Sequence, residues 1–197
     1  CAHEPNYSST MGATGSRELF FQAGFDVLAE AGYGGLKLAA VCGRLGVTSG
    51  SFYHHFTSWS DYTRALVTDW QDRMTDRVEE VGDDPDPRQR LGRLIQGGLT
   101  LPHGAEAAIR VWGSIDPHVR DAQAAVDRHR FDAVFEAALQ VLGHRRQAEL
   151  FASWSIYLLV GYEQALLPRD PEGLEWLVTQ LLDNLDAGRF ASVPDSD

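Results

Sequence analysis

Apolar residues recur at spacings of three and four positions along most of the 197-residue chain, a pattern that predicts a succession of amphipathic α-helices. The first clear helix covers residues 16–32, with Ser16 as its N-cap and Gly32 at its end. Its apolar face comprises Phe20, Phe21, Ala23, Gly24, Val27, Leu28 and Ala31. No segment shows the strict alternation of a half-buried strand, so the pattern indicates an all-α protein.

Capping residues, glycines and prolines set the other helix boundaries. Ser58 and Asp61 form an S-x-x-D capping box that opens a long helix ending near Val81, and the sequence GDDPDP follows that helix. Pro171 suits the first turn of the last helix. The other predicted helices cover residues 37–45, 48–55, 88–101, 104–115, 117–142, 145–167 and 171–187. The sequence therefore predicts about nine helices.

The second and third helices are joined in the manner of a helix-turn-helix. Gly46 permits the backbone conformation of the sharp turn, Val47 fills the angle between the two helices, and Thr48 caps the third helix. The small core between them is expected to comprise Val41, Leu45 and Phe52.

The first 56 residues are close to neutral, although the whole chain has a formal net charge of −11. They carry three basic side chains against four acidic ones, whereas residues 57–197 carry fourteen against twenty-four. A domain that binds nucleic acid is ordinarily more basic than this. If this segment does bind DNA, it must rely on hydroxyls, imidazole and helix N-termini instead of a cationic patch.

From Ser16 to Leu66 the sequence resembles the TetR (tetracycline-repressor) family of bacterial transcriptional regulators. Members of that family show G-[FY] at the close of the first helix, an alanine near the position of Cys42, and then the pattern G-V-[ST]-x-G-x-[FL]-Y-x-H-F. This chain supplies Gly32, Tyr33, Gly46, Val47, Thr48, Gly50, Phe52, Tyr53, His55 and Phe56. The resemblance implies an N-terminal three-helix DNA-binding domain and a C-terminal helical domain for ligand binding and dimerisation.

On this resemblance we place the DNA-binding domain at residues 16–62 and the ligand-binding and dimerisation domain at residues 63–189. Residues 1–15 are expected to be a disordered arm or an extension foreign to the natural chain, which would then start at Met11. Residues 190–197 are expected to be a flexible tail. The expected protein is a repressor that binds a palindromic double-stranded DNA operator as a homodimer and is released by a small-molecule inducer, with no cofactor.

The resemblance also assigns roles to individual residues. The expected DNA-binding residues are Lys37, Thr48, Ser49, Gly50, Ser51, Tyr53 and His54. Short hydroxyls at Ser49 and Ser51 can approach base edges, Tyr53 matches a position that contacts phosphate, and Gly50 allows close approach to the duplex. His54 is in line for a base or phosphate contact, whereas His55 and Phe56 are assigned to packing against the fourth helix.

Two positions depart from the family pattern. Lys37 stands where the family has a serine or threonine that caps the second helix, so the cap is expected from the backbone of Gly35 or Leu36. Trp59 stands in a loop where the family favours a lysine, which removes a cation that would contact phosphate. We therefore expect a modest affinity for DNA.

The last two helices carry more apolar surface than their own domain needs, which favours a four-helix dimer interface. The expected interface comprises Leu158, Gly161, Ala165, Leu174, Leu177, Val178, Leu181 and Leu185. The alternative is that both helices only cover the core of their own domain.

The middle helices are expected to surround a ligand cavity. The expected ligand-binding residues are His103, Trp112, Ile115, Phe131, Phe135, Trp154, Tyr157 and Tyr162, with Leu94, Leu101 and Ile109 in the same segments. Glycines there remove side-chain volume, namely Gly97, Gly98, Gly104 and Gly113. An aromatic, mostly apolar wall suits an uncharged or weakly cationic planar molecule. The alternative is that these aromatic side chains simply fill the core.

Other classes of protein fit the sequence less well. It has no Gly-rich phosphate loop, no G-x-S-x-G and no recognisable catalytic triad, so we predict no enzymatic activity. Cys42 is expected to be a small core residue, and the histidines lack the spacing of metal ligands. No apolar run is long enough to cross a membrane, and the composition fits a reducing cytoplasm. The remaining alternative is a helical small-molecule-binding protein with weak or lost operator binding.

Overall fold

The computed structural model describes residues 12–82 and 84–193, and every regular element in those two ranges is helical. The nine α-helices are α1 Gly12–Gly35, α2 Leu38–Leu45, α3 Ser49–Tyr53, α4 Trp59–Gly82, α5 Pro87–Gly97, α6 His103–Gly113, α7 Pro117–Leu142, α8 Arg145–Gln164 and α9 Pro171–Asp186. Two 3₁₀ turns, Gly98–Thr100 and Arg189–Ser192, follow α5 and α9. The all-α fold of about nine helices is thus confirmed for the described part of the chain.

The first helix starts earlier than predicted. It begins at Gly12, so Ser16 lies within it and is not its N-cap, and residues 12–15 do not belong to a disordered arm. These residues carry no apolar periodicity, which is why the pattern did not reveal the helix there. Gly32 interrupts the helix with φ 65°, at the predicted end of its regular run. Residues 1–11 of the expected arm lie outside the described residues.

The first of two hydrophobic cores joins α1–α4 to α6 and the start of α7. Trp70 and Tyr62 on α4 are its largest fully buried side chains. Helix α1 packs extensively on α6, where a Cβ on Gly104 would lie 3.1 Å from the backbone of Ala29. The DNA-binding segment expected from the sequence is therefore continuous with the core of the C-terminal part.

The second core is formed by α5, the C-terminal half of α7, α8 and α9. It contains Val178, Leu181, Leu182 and Leu185 of the apolar stripe of α9, and Leu174 on the same stripe is also buried within this one chain. Four of these residues, Leu174, Val178, Leu181 and Leu185, were expected at a dimer interface, but their burial within the single chain leaves them little surface for a partner. Their stripe meets α5 and α8 instead, because a helix at the end of a bundle must cover the core of its own chain first.

The flexible tail was predicted to begin at residue 190, but the chain is still packed on the core at that point. Phe190 is buried in the second core, and its ring lies 5.2 Å from Phe151 and 5.8 Å from Trp154. Residues 190–193 are therefore packed against α8, while residues 194–197 lie outside the described residues. Among the residues that the structure describes, no helix is both long and apolar enough to cross a membrane.

Candidate DNA-binding surface and ligand cavity

The turn between α2 and α3 has the geometry of a helix-turn-helix. Gly46 adopts φ 66° and ψ 26°, a left-handed conformation that favours glycine. The Val47 N–H donates to the Cys42 carbonyl at 3.0 Å, and the Thr48 hydroxyl accepts a hydrogen bond of 3.3 Å from the Ser51 N–H. The predicted turn and the predicted Thr48 cap are therefore present.

A cluster of aromatic rings packs against the inner face of α3. Phe52 is fully buried, with its ring 5.5 Å from Phe20 and 5.3 Å from Tyr62. The Tyr62 hydroxyl donates to the Phe20 carbonyl at 2.8 Å, and burial raises the pKa of Tyr62, which keeps the hydroxyl protonated. Gly24 leaves the space that this hydroxyl occupies. These contacts fix α3 against α1 and α4.

The residues predicted to contact DNA lie together on the outer face of this motif. Lys37, Thr48, Ser49, Gly50, Tyr53 and His54 are exposed and Ser51 is half-buried. Ser49 and Tyr53 are four positions apart and share one face of α3, whereas Phe52 points into the core. The helix thus presents hydroxyl groups and an imidazole outward. No nucleic acid is present, so their contacts with DNA remain a prediction.

Lys37 is the free cation of this surface. It occupies the N-cap position of α2, but neither its side chain nor the backbone of Gly35 or Leu36 caps the helix, contrary to expectation. Within residues 12–56 of the described chain, Arg44 is paired with Asp26 and Glu30, and Arg17 donates to the His55 carbonyl at 2.6 Å. Lys37 makes no such pair and is available to a phosphate.

The departure at Trp59 and the expected burial of Cys42 both have structural explanations. The Trp59 ring lies 5.0 Å from Tyr62 and 5.9 Å from Phe52, so it extends the aromatic cluster beneath α3. Cys42 is buried, as predicted, and burial raises the pKa of its thiol. Phe56 is likewise buried, which agrees with its predicted packing role.

A cavity of about 330 Å³ lies between α4, α5, α7, α8 and α9. Its lining consists of Met74, Arg77, Val78, Glu80, Val81, Arg93, Leu94, Ile95, Gly97, Gly98, Leu99, Leu101, Arg130, Val134, Ser155, Ile156, Leu158, Leu159, Leu174, Val178 and Leu181. The predicted contribution of Leu94, Leu101 and the Gly97–Gly98 pair is correct. Gly104 and Gly113 instead lie at close contacts with Ala29 and Arg120, so they do not open space for a ligand.

None of the eight predicted ligand-binding side chains lines this cavity. Trp112 is buried against α1, where it stacks on Tyr33 with the ring centroids 4.9 Å apart. Phe131 and Phe135 stack on each other at 6.1 Å beside the second core, and Ile115 is exposed. Aromatic content in the sequence indicates buried positions without showing which of the two cores they fill, and a ligand contact of these residues stays a prediction.

The other three aromatic residues, Trp154, Tyr157 and Tyr162, lie on α8, whereas His103 begins α6 and lies near the C-terminal end of α8. Trp154 and Tyr157 are exposed, the latter by 73%. Tyr162 packs on the His103 ring at 5.0 Å, and the His103 Nδ1 lies 3.2 Å from a Glu163 carboxylate oxygen. These residues therefore belong to a surface stripe and to a buried polar cluster, respectively.

This polar cluster was missed by the sequence analysis. Glu106 accepts a 2.7 Å hydrogen bond from the Trp70 indole and a 3.0 Å hydrogen bond from Arg130. Burial raises the pKa of Glu163, and the nearby Glu106 carboxylate adds to the effect. A signal was available: Arg130 lies four residues from both Val126 and Val134, which places a charge on the apolar stripe of α7.

Of the predicted dimer residues, those not used by the core lie mainly on α8. Gly161 and Ala165 are exposed, Leu158 is half-buried at the cavity, and Leu177 on α9 is exposed. Trp154, Tyr157 and Gly161 follow a spacing of three and four on the outward side of α8, and Ala165 at its C-cap continues this exposed apolar stripe. We call Trp154, Tyr157, Gly161 and Ala165 the α8 stripe.

Comparison with known proteins agrees with this geometry. Residues 20–60 match the family model for bacterial regulatory proteins of the tetR family, which confirms the resemblance read from the sequence. No curated protein matches the chain in sequence.

Several solved structures share the fold. A transcriptional regulator from Rhodococcus sp. Rha1 is 22% identical, with 88% of this chain and 97% of that one covered and a TM-score of 0.68. A putative regulator from Saccharomonospora viridis in complex with choline is 15% identical, with coverage of 86% and 96% and a TM-score of 0.69. FadR from Bacillus subtilis in complex with stearoyl-CoA is 15% identical, with coverage of 87% and 98% and a TM-score of 0.63.

Proposed function

We propose that this TetR-family transcriptional regulator is a repressor that binds a palindromic operator as a homodimer and leaves it when a small molecule fills the cavity. The observation that carries the proposal is the exposed face of α3, held rigidly by the aromatic cluster, with the unpaired Lys37 beside it. A short helix with small polar residues on its first turn fits the major groove, where it can read base edges.

Lys37 and Tyr53 serve as the phosphate contacts in this proposal, and Ser49 and Ser51 as the groups that read sequence. Because Lys37 is the one unpaired cation within residues 12–56 of the described chain, the electrostatic part of binding is small. The affinity of each domain alone is then modest, and two domains in one dimer are needed for stable binding.

The α8 stripe supplies the dimer contact. Its exposed aromatic rings and the glycine among them form an apolar face on a helix, of the kind that pairs with a second helix. Leu177, exposed on α9, extends the apolar area beyond α8. A two-fold dimer then places its half-sites about one helical turn of DNA, roughly 34–36 Å, apart.

Ligand release follows from the position of the cavity. Its wall includes Met74, Arg77, Val78, Glu80 and Val81, all on the C-terminal half of α4. The N-terminal end of the same helix carries Trp59 and Tyr62, which pack beneath α3. A ligand that displaces one end of α4 changes the tilt of the other, and so the separation of the two recognition helices. A coupling of about 1–3 kcal/mol is enough to lower the operator affinity severalfold to a hundredfold.

A second candidate is a ligand-binding protein that has lost its operator. The near-neutral N-terminal segment and the neutralised Arg44 favour it. Selection of bound fragments from random duplex DNA by the purified protein separates the two functions. If the protein is a repressor, the selection enriches a palindrome, and the protein releases that palindrome when ligand is added. If the protein has no operator, the selection enriches no common sequence at low salt.

A further inference from the structure

Arg130 is the charged side chain that reaches the cavity from the protein interior. It lies on α7, is only 8% exposed, and forms part of the cavity wall. Its Nη1 donates to Glu106, but its buried Nη2 has no hydrogen-bond partner in the described structure. A buried guanidinium N–H without an acceptor is costly, so this position favours an incoming acceptor group.

The charges around the cavity are unlike those of the chain as a whole. The protein has a formal net charge of −11, yet the cavity wall carries Arg77, Arg93 and Arg130 against one acid, Glu80. Arg77 donates to Thr100 and Arg93 pairs with Asp84, so both are held near the wall, in more exposed positions than Arg130. Most of the remaining lining is aliphatic. This distribution selects an anion with an apolar body, in place of the neutral or cationic aromatic inducer expected from the sequence.

We propose that the cavity binds an amphipathic monocarboxylate whose carboxylate accepts a hydrogen bond from Arg130 Nη2 and whose apolar body fills the aliphatic part. The inference rests on the proposed role of this cavity as the inducer site. One negative charge fits better than two, because the Glu106 and Glu163 carboxylates lie close to Arg130 and repel a further charge. At about 30 Å³ for each water-sized group, a volume of about 330 Å³ admits about eleven non-hydrogen atoms.

The same arginine connects the cavity to α4. One carboxylate oxygen of Glu106 accepts from Arg130 and the other accepts from Trp70 on α4. A ligand carboxylate on Nη2 shares the guanidinium group of Arg130 with Glu106, which accepts from Nη1, and so weakens the attraction between Arg130 and Glu106. Occupation of the cavity therefore alters the charge balance at a residue that holds α4, and this links the ligand to the helix that carries the DNA-binding domain.

A charge series with one apolar chain tests the proposal. Calorimetric titration of the full chain compares decanoate with decanol and with decylammonium, which match it closely in size. Decanoate is expected to bind at least tenfold more tightly than decanol, and the cation is expected not to bind. Equal affinity for decanoate and decanol, or tighter binding of the cation, overturns the proposal.

Two variants then locate the carboxylate. The double substitution Arg130→Met with Glu106→Gln removes the ion pair as a unit and should remove the preference for decanoate over decanol. Arg128→Gln, at an exposed position of α7 that is not part of the cavity wall, should change the decanoate affinity less than twofold. If the double variant fails to fold, Arg130→Lys takes its place and should lower the affinity at least fivefold. If the double variant still prefers decanoate over decanol as the wild type does, the carboxylate binds elsewhere and its assignment to Arg130 is overturned.

A gel shift with decanoate separates this inference from the proposed function. Decanoate that binds through Arg130 without lowering DNA affinity supports the ligand class and contradicts ligand-driven release. Release by decanol and decanoate alike at equal concentrations supports ligand-driven release and contradicts the ligand class.

Discussion

The Trp70 indole on α4 donates a 2.7 Å hydrogen bond to the Glu106 carboxylate on α6, and both side chains are buried. This contact ties the helix that begins beneath α3 to the helix that packs on α1. Glu106 also accepts a hydrogen bond from Arg130 at the cavity wall. The contact therefore connects the cavity with the helix that supports α3.

Trp70→Phe tests the strength of this contact. The phenylalanine keeps most of the ring but leaves one oxygen of a buried carboxylate without its donor, which should cost about 1–3 kcal/mol of unfolding free energy. Urea denaturation measures the change. Trp176→Phe is the matched control, because Trp176 is exposed on α9, and it should alter stability by less than about 0.5 kcal/mol. Equal effects of the two substitutions on the unfolding free energy would show that this hydrogen bond does not stabilise the fold.

Glu163 should make stability depend on pH. Its pKa is raised above the ordinary value of 4.5, mainly by burial, so the folded state binds this proton more tightly than the unfolded state does. The resulting stability is fully present below about pH 4.5 and is lost as the pH rises through the higher folded pKa. Glu163→Gln keeps a neutral side chain, so its stability relative to wild type should increase between pH 5 and pH 8.

Thermal unfolding at several pH values measures this trend. Glu79→Gln, at an exposed position on α4, is the control and should give a constant difference from wild type over the same range. A Glu163→Gln difference that is also constant would mean that Glu163 titrates in the folded protein as it does in the unfolded one.

The α8 stripe should be required for the dimer. Tyr157→Asp places a charge in the middle of the stripe and should produce a folded monomer, because Tyr157 is exposed and contributes little to the core of its own chain. Analytical ultracentrifugation measures the mass. Val111→Asp changes an exposed apolar residue on α6 and should leave the dimer intact. A dimer that survives Tyr157→Asp would exclude the stripe as the interface.

Lys37 and Tyr53 should contribute to DNA affinity without setting sequence preference. Lys37→Ala and Tyr53→Phe each should weaken binding to every duplex by roughly 1 kcal/mol, and Lys37→Ala should lower the salt slope by about one. Fluorescence anisotropy across a salt series measures both quantities. Lys37→Arg keeps the charge and should retain the slope, whereas Ser49→Ala should change the preferred sequence instead. A slope that Lys37→Ala leaves unchanged would place the lysine away from phosphate.

The helix-turn-helix could be predicted from the sequence because its determinants are local. Gly46 provides the positive φ of the turn, Thr48 caps the helix that follows it, and Phe52 lies in the core between them. The start of α4 is local in the same sense: the Asp61 N–H donates to the Ser58 hydroxyl at 3.0 Å, as in the predicted capping box, although the Asp61 carboxylate accepts from the Thr57 N–H instead of the Ser58 N–H. Each depends on residues only a few positions apart.

The cavity could not be located in this way, because five helices from distant parts of the chain form it. Trp112 looked like a lining residue, but the tertiary packing of α6 on α1 directs it to Tyr33. Likewise, the sequence pattern of the leucine stripe on α9 could not show whether the stripe packs on its own chain or on a partner. The charge of Arg130 was the overlooked signal, since this residue lies four positions from both Val126 and Val134 on the apolar stripe of α7 and lines the cavity.

The central claim is that this protein reads a DNA sequence through α3, and the salt dependence of its binding to a selected duplex tests it most directly. Gel shifts compare the palindrome enriched from random DNA with a scrambled duplex of the same length and composition between about 50 and 200 mM salt. We predict at least a hundredfold preference for the palindrome at the lowest salt, weaker binding as salt rises, and a shifted preference in Ser49→Ala. Equal binding of the two duplexes by the intact dimer, at every salt concentration, would contradict the claim.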